Sequence, residues 1–200
     1  RNAQRLILDR KSPEVVPQLK EMVHSSSSSH ARLHAAWTLE GMNELGREEV
    51  LALLANVEPG VRENAVRLAE IFLTGDEEML QALISLREDA NSRVRFQLLC
   101  TLGGTDAPVA NETREQMLFN DVTDPWVQIA SLSAGQPDYN GILQTAINRF
   151  NTWGADAEGL VRRLADMLAA GNHPAQVRRL INQALVADGE GGWQAAVIRG

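Results

Sequence analysis

One short string returns four times along this chain at nearly constant spacing, and that return constrains the fold more than any other feature. Ala31-Arg32-Leu33-His34-Ala35-Ala36-Trp37-Thr38-Leu39 superposes without gaps on Val61-Arg62-Glu63-Asn64-Ala65-Val66-Arg67-Leu68-Ala69. The third and fourth copies are Val94-Arg95-Phe96-Gln97-Leu98-Leu99-Cys100-Thr101-Leu102 and Val127-Gln128-Ile129-Ala130-Ser131-Leu132-Ser133-Ala134, and the steps are 30, 33 and 33 residues. Each copy follows a turn: the serine run at 25–29, Glu58-Pro59-Gly60, Asn91-Ser92, and Asp124-Pro125-Trp126. Between them lie residues 13–23, 48–57, 77–87 and 109–119, each long enough for one further helix. Two helices per period predict an all-α chain built as an α-solenoid of stacked helical hairpins.

Composition agrees, with aromatics at only 4% and Ala, Leu, Glu, Gln and Arg recurring at helical spacing. Local signals mark the ends. Ser12 is placed to cap a helix opening at Pro13, and Gly103-Gly104 to supply the positive-φ residue that ends one. Glu48-Glu49 and Glu77-Glu78 read as helix starts, where the macrodipole favours negative charge, rather than as acid/base pairs. The Asp/Glu-Pro-x-Val-Arg signature, best in Glu58-Pro59-Gly60-Val61-Arg62 and Asp124-Pro125-Trp126-Val127-Gln128, resembles HEAT repeats. Armadillo and tetratricopeptide arrays compete, but the tetratricopeptide Trp/Gly/Tyr pattern is missing. Beyond Pro137 the period fails, although Val161-Arg162-Arg163-Leu164 and Val177-Arg178-Arg179-Leu180 echo one another. The expected organisation is a HEAT-like array over 1–137 with a truncated first repeat, then a non-repeating helical part over 138–200 packed on the array.

A narrower resemblance centres on residues 31–42, Ala31-Arg32-Leu33-His34-Ala35-Ala36-Trp37-Thr38-Leu39-Glu40-Gly41-Met42. With Ala3-Gln4-Arg5-Leu6 and Asp9-Arg10-Lys11 upstream, and residues 126–133 and Trp193-Gln194-Ala195-Ala196 downstream, it covers nearly the whole chain. These strings are similar to the helical-repeat segment of large bacterial membrane-bound dehydrogenase-type proteins. There a sugar-dehydrogenase-like β-propeller precedes the segment and a c-type cytochrome domain usually follows. The resemblance implies an extracytoplasmic parent protein, and it assigns no quinone, calcium or haem ligand to these residues. The chain opens at Arg1-Asn2-Ala3 without an initiator methionine, which reads as a piece of something longer.

Charge and residue types narrow the chemistry. A net charge of −7 opposes the counterion-release attraction on which non-specific nucleic-acid binding depends, and also opposes anionic membrane surfaces. No apolar run approaches the roughly 18 to 20 residues of a membrane-spanning helix. The single cysteine, Cys100, makes no internal disulfide and no Cys-based zinc or haem motif; it reads as an inert, buried or half-buried thiol. His30 and His34 share a helix face but lack a third metal ligand at suitable spacing. Gly189-Glu190-Gly191-Gly192 lacks the context of a phosphate loop and reads as a linker. The serine run reads as a flexible connector.

Two sets of residues stand out by register. Arg32, Arg62 and Arg95, with Gln128 in the fourth copy, fall on the packed side of the helical wheel. A guanidinium there needs acceptors, and Asp89, Asp121, Asp124 or nearby carbonyls would supply them, making a structural ladder. Positions three, four and seven face away, giving a candidate interaction surface of Leu33, His34, Trp37, Phe96, Gln97 and Ile129, with Glu63 and Arg67 paired at i, i+4 in the second copy. The expected function is a non-catalytic scaffold or protein-interaction module without a cofactor, its partners the flanking domains of a parent chain or another protein. The competing readings are a cofactor-binding or enzymatic helical domain, and a nucleic-acid-binding array using Arg162, Arg163, Arg178 and Arg179.

Overall fold

The computed structural model describes residues 2–10, 12–133, 137–153, 157–171, 174–186 and 192–199. Among them every regular element is helical: α1 (Asn2–Arg10), α2 (Val16–Ser25), α3 (Ser29–Gly41), α4 (Arg47–Leu54), α5 (Pro59–Leu68), α6 (Glu77–Ile84), α7 (Ser92–Leu102), α8 (Pro108–Asn120), α9 (Pro125–Leu132), α10 (Tyr139–Trp153), α11 (Glu158–Ala170), α12 (Pro174–Val186) and α13 (Gly192–Arg199). Short 3-10 segments adjoin α2, α5 and α6 at Pro13–Val15, Ala69–Phe72 and Ser85–Glu88. None of the described helices is long and apolar enough to cross a membrane. The chain divides into two compact units, Arg1–Thr105 and Asp106–Gly200. That division falls between the third and fourth copies of the repeated string, not at 137/138.

In the first unit, α2 packs on α3 and α4 on α5, while the 3-10 segment Ser85–Glu88 touches both α6 and α7. Further contacts run α2 to α4 to α6 on one side and α1 to α3 to α5 to α7 on the other. The repeated string explains the second row. Its first, fifth and sixth positions are buried as Val61, Ala65 and Val66 on α5 and as Val94, Leu98 and Leu99 on α7. Spacings of four and five residues place them on one face of a 3.6-residue helix. A fully buried leucine or valine contributes roughly 1.5 to 3 kcal/mol, so this face sustains the row.

The helix ends depart from expectation in instructive ways. Gly103 follows α7 at φ −69°, and among the described residues the left-handed ones are instead Asn43 (φ 58°) and Gly75 (φ 87°). Asn43 closes α3: its N–H donates to the Glu40 carbonyl, and the Glu44 N–H donates to the Leu39 carbonyl at 2.8 Å. This is the Schellman arrangement, with asparagine where glycine is commoner. Ser12 makes no side-chain cap; Pro13 opens a 3-10 segment, and α2 starts at Val16. The serine run is an ordered turn, Ser26 Oγ accepting from the Ser28 N–H and Ser28 Oγ from the Ala31 N–H. The linker reading at 189–192 lies outside the described residues apart from Gly192, which starts α13.

Charged groups join the helices of the first row. Arg47 on α4 meets Asp76 at 2.8 Å and also Glu78, while Asp76 caps α6 through the Met79 N–H. Glu49 sits in the first turn of α4 as expected, yet it is buried. Its carboxylate lies 3.6 Å from His24 Nε2 and 3.8 Å from Lys20 Nζ, both on α2. It also packs against Gly46, where a Cβ would collide with Oε2.

In the second unit α8 pairs with α9, and α11 is the hub that touches α9, α10, α12 and α13. Leu160, Val161, Leu164, Ala165 and Leu168 are all buried, a double apolar stripe wide enough for several neighbours. Polar links between its helices include Arg163 Nε, which donates to Gln128 Oε1 at 3.3 Å, Arg199, which pairs with Glu158 at 3.0 Å, and the mutual amide contact of Gln144 and Gln183. On α12 only Leu180 and Ala184 are buried, while Ile181 and Leu185 are exposed.

Candidate interaction surface

The turn that opens each aligned helix is the most regular local structure in the molecule. Arg32 Nε donates to the Ser26 carbonyl at 2.6 Å, Arg62 Nη1 to the Asn56 carbonyl at 2.7 Å, and Arg95 Nη1 to the Asp89 carbonyl at 2.8 Å. In the fourth copy Gln128 Nε2 donates to the Val122 carbonyl at 2.7 Å. All four bonds span six residues, reaching back around the helix start to a carbonyl that no helical N–H can reach. The residue supplying that carbonyl has a second task in three copies. Ser26 Oγ, Asn56 Oδ1 and Asp89 Oδ1 each accept the N–H two residues on, at Ser28, Glu58 and Asn91. Those three residues are the N-caps of α3, α5 and α7. A short polar side chain and an arginine six residues later thus clamp each turn from both sides.

Asp89 does more than its counterparts. Its carboxylate takes two parallel bonds from Arg62, at 2.6 and 2.9 Å, across 27 residues, while its own carbonyl receives Arg95. One residue thereby joins the start of α5 to the start of α7. The Arg62 hydrogen bond holds the Asp89 carboxyl below the usual carboxylate range, and burial pushes the other way. The Asn91 N–H and the charges of Arg62 and Arg95 reinforce the lowering. The same carboxylate raises the Arg62 guanidinium through that hydrogen bond. Nearby carbonyls are among the acceptors expected for this row, and those used are at 26, 56, 89 and 122, which no residue type marks in the sequence.

The positions facing away from the packed side are neither sealed nor bare. Leu33 and Trp37 on α3 are half-buried, His34 is exposed, Gln97 is half-buried and Phe96 retains 36% of its surface. Ile129, in the second unit, retains 40%. Polar side chains cross from helix to helix within the first unit. Trp37 Nε1 donates to Asn64 Oδ1 at 3.1 Å while Arg67 lies over the Trp37 ring, 5.9 Å from its centre. Asn64 in turn donates to the Gly60 carbonyl. Arg93 reaches Glu63 at 3.1 Å, and Thr101 accepts from Gln97 and donates to Glu70. Glu63 and Arg67 therefore do not form the expected i, i+4 pair; each turns to a neighbouring helix instead.

The remaining singled-out residues carry little chemistry. His30 and His34 both lie exposed on α3, and among the described residues no group of three His, Cys, Asp or Glu side chains is placed to hold a metal ion. Cys100 is exposed rather than buried or half-buried, because the seventh position of the string lies off the packed face. Arg162, Arg178 and Arg179 are exposed, while Arg163 is half-buried and engaged with Gln128. No protein-family model, curated protein or solved structure matches this chain.

Proposed function

We propose that this chain is a HEAT-like α-solenoid acting as a non-catalytic scaffold and protein-interaction module. In this reading it is a segment of a larger, extracytoplasmic dehydrogenase-cytochrome-type protein whose flanking domains it orients. The single observation that supports it best is the fourfold turn: the same six-residue hydrogen bond at steps of 30, 33 and 33 residues, which is what stacked copies of one hairpin require. The two rows of alternating helix contacts in the first unit support it as well. The parent-protein context rests on the resemblance at residues 31–42 alone. The docking face is Leu33, Trp37 and Phe96, apolar side chains left partly exposed on a frame whose polar cross-links hold them in place.

Hydrogen exchange, compared between the isolated chain and the same residues within their full-length polypeptide, tests this reading. The expected outcome is added protection confined to the exposed face of α3 and α7 in the longer protein. Equal exchange in both would remove the docking face, and turnover of a sugar or alcohol substrate by the isolated chain would remove the non-catalytic assignment.

A further inference from the structure

The second unit contains a cavity of about 230 Å³ between α8, the end of α9 and the start of α10. Arg114 on α8 is only 3% exposed and lines it, with Nη2 donating to the Ser131 carbonyl at 2.5 Å and Nη1 directed at Asn111 Oδ1. Ser131, 4% exposed, lines it too, and its buried hydroxyl has no hydrogen-bond partner. Register sharpens the point, because Ser131 occupies the fifth position of the repeated string, which is apolar and buried as Ala35, Ala65 and Leu98 elsewhere. A buried hydroxyl left unbonded carries its full desolvation cost unless something completes it. Leu118 and Ile142 give the cavity an apolar wall, and Glu112, Glu115 and Asp138 border it.

These groups select a ligand by charge. Arg114 and Ser131 match a carboxylate, which takes a charged donor and a hydroxyl together. Three bordering carboxylates would repel a simple anion, and the buried guanidinium would repel a simple cation. A molecule carrying both charges satisfies both ends. We propose that this cavity binds a small zwitterion of amino-acid size with an aliphatic side chain. Its carboxylate meets Arg114 and the Ser131 hydroxyl, its ammonium faces Glu112, Glu115 and Asp138, and its alkyl part lies on Leu118 and Ile142. This assignment stands apart from the scaffold reading, and neither depends on the other.

Calorimetric titration of the whole chain with L-leucine, 4-methylpentanoate and isopentylamine tests it, since the last two remove the ammonium and the carboxylate in turn. Saturable binding of L-leucine is expected, with each half-molecule at least about tenfold weaker. Arg114→Gln removes a buried donor that also serves the Ser131 carbonyl, so Ser131→Ala is the deciding variant. Alanine is native at this position in two other copies, so the variant is expected to fold and to bind L-leucine about fivefold more weakly. A thermal-shift series gives an independent readout, in which L-leucine raises the melting temperature of the parent chain more than that of Ser131→Ala. The proposal is overturned by the absence of saturable binding, by equal affinity for L-leucine and either half-molecule, or by unchanged affinity in a folded Ser131→Ala variant.

Discussion

The turns before α7 and before α9 hold the same backbone shape with different chemistry. Before α7, a guanidinium, a carboxylate and a carbonyl meet at Asp89, which is also bonded to the preceding copy through Arg62. Before α9, the arginine has become Gln128 and the short polar residue has become Val122, yet the six-residue bond is as short, at 2.7 Å. Gln128 is more deeply buried than the arginines, at 3% exposure. Closing the turn requires only a long donor reaching back to a carbonyl. Charge is added where a carboxylate waits on the next copy. A neutral amide suits the deeper site because it satisfies the carbonyl without the desolvation cost of an ion.

Removing the ionic member separates the two cases most strongly. Asp89→Ala strands the part-buried Arg62 guanidinium and also frees the Asn91 N–H, so a loss of about 3 kcal/mol in chemical denaturation is expected. A loss no larger than that of an ordinary surface substitution, about 0.5 kcal/mol, would show that the charge is decorative. Acid should reveal the same pair. The Asp89 carboxyl titrates below its unfolded value of about 3.9, so its contribution is full above that pH and is lost as pH falls through the lower, folded value. Asp89→Asn is therefore expected to flatten the acid limb of the stability profile below about pH 4. A limb of unchanged steepness would assign it to other carboxylates.

The neutral turn is expected to cost less to break. Gln128→Ala leaves the Val122 carbonyl unbonded and removes the contact with Arg163, for an expected loss of about 1 to 2 kcal/mol that does not vary between pH 3 and 7. A pH-dependent loss would mean that ionic and neutral turns are not the distinct devices described. Smallest is Trp37→Phe, which keeps the ring beneath Arg67 but deletes the bond to Asn64. About 1 kcal/mol is expected. If Trp37→Phe costs nothing while Trp37→Ala costs much, the joint between α3 and α5 is packing alone.

The period, the helical class and the side of the wheel on which each position falls were legible in sequence, because they depend on residue type at fixed spacing. Asp89 could be named for the same reason, with Asp121, Asp124 and nearby carbonyls, among the candidate acceptors of the arginine row: a guanidinium on the packed side needs an acceptor. What stayed hidden depends on backbone geometry. The carbonyls at 26, 56, 89 and 122 carry no residue-specific signal, although a small polar residue two before each cap in three copies was available as a clue. Gly103-Gly104 ends α7 without the left-handed residue expected of it, whereas Asn43, which no expectation marked, adopts that conformation at the end of α3 because asparagine tolerates it. Glu63 and Arg67 look like a local pair until a neighbouring helix offers each a different contact. Arg114 lies on a helix outside the aligned string, so no register marked it, and Ser131 looked like an ordinary variation until its hydroxyl proved buried.

The contact between Gly46 and the Glu49 carboxylate ties the mutational histories of two positions together. An alanine at 46 would push the flexible glutamate aside, and the acid would lose its place between Lys20 and His24 while the basic groups stayed behind. The same alanine in a chain that already has a short side chain at 49 meets no such clash, although at the N-cap of α4 glycine remains the better residue. The order of substitution therefore decides the outcome. A lineage that changes position 49 first meets no clash at 46, whereas one that changes 46 first must displace the Glu49 carboxylate from Lys20 and His24, so a change at 46 is expected to follow one at 49.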